Sequence, residues 1–116
     1  MPRPRNVALE VELLAGVHRE LSRLRQVNLT RLPREAWRLK WQVQDALTAI
    51  VWADMDTIIG RALTDAERRA YQRAARRLVA DGVLRRHLGW GGVKTTALEL
   101  VRTRRSVDMR ERASFS

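Results

Sequence analysis

Cysteine is absent from the 116-residue chain, which removes disulfides, thiolate catalysis and every zinc site that needs sulfur. No apolar run approaches the ~20 residues required to cross a bilayer. The start Met1-Pro2-Arg3-Pro4-Arg5 leads towards Glu10 and Glu12 rather than into a signal-peptide core, so the expectation is a cytoplasmic protein without a membrane partner. Aromatic residues are scarce at 5%, and the spacing shows no aromatic platform for stacking bases. Catalytic groups are equally thin. His18 and His87 fall in unrelated segments with no metal-ligand partner at a useful spacing. Asp54 and Asp56 read as a helix-capping turn rather than a magnesium site. Gly89-Trp90-Gly91-Gly92 lacks the Lys-Ser/Thr ending of a nucleotide loop. These gaps predict a binding protein, not an enzyme, with no metal and no cofactor.

What the chain has is positive charge. Basic side chains number 23 against 13 acidic ones, a formal +10, and 21 of the 23 are arginine. A polyanion is the expected partner, because the planar guanidinium fork matches phosphate and guanine. The excess is spread along the chain, with 6 basic against 3 acidic residues in 1–33, 12 against 8 in 34–101 and 5 against 2 in 102–116. Local clustering therefore has to identify the contact surface.

From Asn6 to about Gln26, Val7, Val11, Leu14, Val17, Leu21 and Leu24 recur at helical spacing, with Asn6 as N-cap and Arg19, Arg23 and Arg25 towards the negative end. Pro33 separates this amphipathic helix from a second one, expected over about Arg34 to Ala53, whose stripe is Ala36, Leu39, Val43, Ala46, Leu47 and Ile50. Trp37, Trp41 and Trp52 lie on another side, which the N-terminal helix is expected to cover. A short helix can follow Asp54-Met55-Asp56, within Thr57 to Leu63, where Gly60 lowers helix propensity. Thr64-Asp65-Ala66-Glu67 is a capping box, and its helix runs to about Ala80 before Asp81-Gly82 closes it. Val83–Leu88 and Thr95–Val101 alternate as two strands of a hairpin about the Gly-rich turn. Residues 102–116 read as a basic, flexible tail.

The order core helix, short helix, capped helix, Asp-Gly, strand, Gly-rich turn, strand resembles a winged helix-turn-helix domain over about residues 34–101. Its most specific part is the run from Leu63 through Asp81-Gly82-Val83-Leu84, which looks like the recognition-helix segment of bacterial winged-helix regulators. The expected fold is mainly α with a small β-hairpin, preceded by an extra N-terminal helix and linker over 1–33. The resemblance implies duplex DNA as partner and a role as a transcriptional repressor or accessory factor.

The residues support that implication separately. At 100° per residue, Ala70, Tyr71, Ala74 and Leu78 gather on one side of the capped helix, and Arg69, Gln72, Arg73 and Arg76 gather opposite them, flanked by Arg68 and Arg77. No acidic residue lies between Arg68 and Ala80. The outward set is expected to read base edges in the major groove, with Arg68 and Arg77 on phosphates. The wing offers Arg85, Arg86, His87, Trp90 and Lys94 for backbone or minor-groove contact. The N-terminal helix has a second use: Val7, Leu14 and Leu21 with Val17 and Leu24 approach a heptad, so a homodimer could place two recognition helices about 34 Å apart. Two other readings stay open, a protein-docking winged helix that uses the Trp37, Trp41 and Trp52 surface, and an RNA-binding ribonucleoprotein component.

Overall fold

A computed structural model describes residues 5–89, 92 and 95–101. The protein is mainly helical, with a three-stranded antiparallel sheet. Its elements are α1 (Val7–Arg25), α2 (Trp37–Leu47), β1 (Ile50–Trp52), α3 (Met55–Ile59), α4 (Asp65–Ala80), β2 (Leu84–Leu88) and β3 (Thr95–Leu100). Two short 3-10 turns, Leu29–Arg31 and Arg34–Ala36, bridge α1 to α2. Among the described residues, no helix is long and apolar enough to cross a membrane.

The Asn6 side chain caps α1 by accepting from the Leu9 amide at 3.2 Å. The helix then packs against α2, α3, α4 and β1 through Leu13, Val17, Leu21 and Leu24, all buried. The periodic stripe is only partly the buried one, since Val7 and Val11 are 58% and 60% exposed. The line that faces the core runs through Glu10, Leu13, Val17, Leu21 and Leu24. Both lines step by three and four residues, so periodicity alone does not choose between them. The heptad reading suffers directly. Val17, Leu21 and Leu24 are buried within the chain, which leaves exposed Val7 and half-buried Leu14 of that heptad on the outside for a dimer along α1.

Helix α2 stops at Leu47, well short of Ala53. Ala49 takes a positive φ of 63°, and Ile50, Val51 and Trp52 extend into β1 opposite Glu99, Leu98 and Ala97 of β3. The β-branched and aromatic residues fit a pleated surface, and the ladder to β3 satisfies backbone groups that a continued helix would have satisfied internally. The sheet order is β1-β3-β2, so the expected hairpin is two-thirds of a larger sheet.

The tryptophans are not covered by α1. Val43 and Ala46 face the core instead, and the Arg25 Nε donates to the Ala46 carbonyl at 3.1 Å. Trp37 and Trp41 are each 62% exposed, one turn apart on α2, so the chain presents two exposed aromatic side chains on that side. Trp52 is half-buried, with its Nε1 donating to Asp45 at 2.9 Å and the Arg38 guanidinium 5.1 Å from its ring centroid.

Helices α1 and α3 approach each other closely at Gly16. Gly16 meets Ile58, and a Cβ at Gly16 would fall on the Ile58 carbonyl oxygen and 2.9 Å from its Cγ2. One turn on, the Arg19 Nη2 donates to the Ile58 and Ile59 carbonyls at 3.0 and 3.1 Å, satisfying the open C-terminal end of α3.

Candidate nucleic-acid interface

Helix α4 begins where the sequence places it. The Thr64 hydroxyl accepts from the Glu67 amide at 3.1 Å, and the Glu67 carboxylate accepts from the Thr64 amide at 3.0 Å. The Thr64 amide, then Arg61 at 2.7 Å, hold the Glu67 carboxyl below its ordinary range. The inner side consists of Tyr71, Ala74, Ala75 and Leu78, all buried, with Ala70 half-buried. The Tyr71 hydroxyl donates to Glu12 of α1 at 2.7 Å; burial, then Glu12, push its pKa up. At the far end Gly82, with a φ of 77°, carries the chain into β2.

On the outer side Arg69, Gln72, Arg73, Arg76 and Arg77 are all exposed. None of these arginines forms an ion pair among the described residues. The Arg69 Nε donates to the Asp65 carbonyl of its own helix at 3.3 Å, which steadies the side chain without neutralising it. This outer side stands as a ridge between two clefts. One, of about 490 Å³, lies between α4 and the start of α1, with Arg5, Leu9, Arg73 and Arg77 in its walls. The other, of about 570 Å³, lies between α4 and the sheet, with Gln72, Arg76, Arg86 and Leu98 in its walls. Arg86 of β2 thus joins the α4 arginines.

Two of the expected contact residues stand elsewhere. Arg68 turns to α3, where its Nε and Nη2 donate to Asp56 at 2.9 and 3.2 Å, and its Nη1 donates to Asp65 at 2.8 Å. Hydrogen bonding to Asp56 raises the Arg68 pKa and lowers that of Asp56, to whose lowering the Leu63 amide contributes less. Arg85 alternates to the opposite side of β2 from Arg86 and approaches Glu99 at 3.9 Å. Glu99 also meets the His87 Nε2 at 2.9 Å. Trp90 and Lys94, and the tail over 102–116, lie outside the described residues.

Arg5 was not legible as part of this region. Its Nε donates to both oxygens of the buried Glu10 at 2.9 Å, and its Nη2 donates to Asp81 at 2.5 Å, tying the start of α1 to the end of α4. Glu10 and then Asp81 raise the Arg5 pKa. A partner 76 positions away leaves no local spacing to read.

The acidic side chains near α3 are engaged with the protein itself. Asp54 accepts from the Thr57 hydroxyl at 2.8 Å, and Asp56 serves Arg68. Among the described residues, no group of three or more histidine, aspartate and glutamate side chains converges to hold a metal. No protein-family model, curated protein or solved structure matches the chain.

Proposed function

We propose that the protein binds duplex DNA by laying α4 in the major groove, in the manner of a winged helix-turn-helix, and acts as a transcriptional repressor or accessory factor. The observation that carries this reading is the outer side of α4. Arg69, Gln72, Arg73, Arg76 and Arg77 are exposed on one rod, free of ion pairs among the described residues, while the reverse side is buried. An α-helix with side chains is about 10–12 Å across and fits a major groove about 12 Å wide. The order α2, β1, α3, α4, β2, β3 supports the winged-helix resemblance, as does the Gly82 step from α4 into β2.

The contacts divide by position. Arg69, Arg73 and Arg76 have the fork to bridge guanine N7 and O6, and Gln72 can bridge adenine N6 and N7. Arg77 and Arg86, at the margins of the ridge, are suited to phosphates, which fix register without reading sequence. Arg68 and Arg85 are left out of the contact set because carboxylates hold or approach them.

Guanine methylation tests this reading. Duplexes selected from a random pool should lose binding when guanine N7 is methylated, since the methyl group occupies the acceptor an arginine would use. Binding that survives N7 methylation at every guanine would overturn major-groove readout by α4.

A further inference from the structure

The α4 reading leaves Trp37 and Trp41 unused. They project from α2 on the side opposite Val43 and Ala46, each 62% exposed, and no hydrogen bond engages either indole among the described residues. Trp52 shows the contrast. Its N–H is taken by Asp45 and its ring by Arg38, so it is a closed structural unit. The outward strip of α2 continues through exposed Gln44 and Thr48, with Lys40 and Arg38 on its flanks and exposed Arg34 in the preceding turn. Two acidic residues lie in that stretch, Asp45, which is already engaged by Trp52, and exposed Glu35.

A ligand for this strip must offer flat apolar faces and negative charge together. A second copy of the chain would bring Arg34, Arg38 and Lys40 against their own kind. An acidic peptide would seek a groove with aliphatic anchors, whereas the strip is a convex helix ridge that passes from the indoles to Gln44 and Thr48. Unpaired nucleotides need only exposed ring faces and nearby cations, and positions one turn apart put the two Cβ atoms about 5–6 Å from each other.

We propose that the Trp37–Trp41 strip of α2 binds single-stranded DNA, with bases stacked on the two indoles and phosphates beside Arg34 and Lys40. The choice of DNA over RNA rests on the duplex reading of α4; the stacking argument does not. The strip lies on a different helix from the α4 ridge, and α1 packs against both helices. The protein then holds a duplex on one face and an unpaired strand on another.

The test is titration with a short fluorescent oligothymidylate. The wild-type protein should bind it, Trp37→Ala/Trp41→Ala should weaken binding by at least about tenfold, and Trp37→Phe/Trp41→Phe should restore most of it. An Arg69→Ala/Arg73→Ala/Arg76→Ala variant should retain oligothymidylate binding even where it loses the duplex, so the two surfaces fail separately. In the wild-type protein, bound oligothymidylate should shield Trp37 and Trp41 from oxidation by N-bromosuccinimide, a readout that needs no variant to fold. Equal affinity of the alanine variant, or unshielded indoles, would overturn the proposal. So would tighter binding of oligouridylate, or displacement of the strand by an equimolar glutamate-rich peptide.

Discussion

Arg68 of α4 grips Asp56 of α3 with two hydrogen bonds, at 2.9 and 3.2 Å, and this one pairing both joins the two helices and subtracts an arginine from the contact ridge. Asp56 is further held by the Leu63 amide at 3.4 Å, just before the cap of α4. The pair therefore ties α3 to the first turn of α4.

Asp56→Asn should destabilise the fold at neutral pH while leaving duplex binding at least at wild-type strength, because Arg68 is released. The pH dependence follows from the direction of the shift. The folded carboxyl titrates below its ordinary range, so its contribution is complete above that range and is lost as pH falls through the lowered value. Urea unfolding from pH 7 to pH 3 should give a shallower acid limb for Asp56→Asn than for wild type. Superimposable limbs would show that the pair does not couple protonation to folding.

Thr64→Ala should cost about 1 kcal/mol, since it removes the hydroxyl that accepts from the Glu67 amide while the helix remains otherwise intact. Chemical denaturation measures this directly. An unchanged midpoint would place the effective start of α4 elsewhere.

Gly16→Ala should destabilise by roughly 1–3 kcal/mol, because the added methyl group meets the backbone of Ile58 rather than a movable side-chain tip. Thermal unfolding is the measurement. A wild-type melting temperature would mean that α1 and α3 separate at little cost.

Much of the site was legible in the sequence because it is local. The capping box, the Asp81-Gly82 exit and the inward and outward sides of α4 are all written within twenty residues, and each depends on spacing and side-chain type alone. The parts that escaped are settled by distant partners. Ile50 continues the helical stripe of α2 by period, yet joins a strand because β3, nearly fifty residues later, supplies its hydrogen bonds. Val7 and Val11 fit an apolar stripe as well as Leu13 does, and only the position of α1 across α2, α3 and α4 leaves them outside. Arg68 falls beside the other α4 arginines by spacing, and the carboxylate that turns it away, Asp56, lies in a different element.

Arg77 and Arg86 stand at the margins of the ridge, so alanine at either should weaken binding to all duplex sequences alike. Each substitution should also reduce the magnitude of the log–log salt slope by about 0.9. Affinities measured from low to high salt on two unrelated duplexes separate this effect from base readout. A change in sequence preference with an unaltered slope would assign these residues to bases instead.

The most direct measurement is duplex affinity of the Arg69→Ala/Arg73→Ala/Arg76→Ala variant beside its thermal unfolding. The three side chains are exposed and make no ion pair among the described residues, so the melting temperature should stay close to wild type while duplex binding disappears. A folded variant that still binds duplex DNA with wild-type affinity would contradict the assignment of α4 as the contact surface.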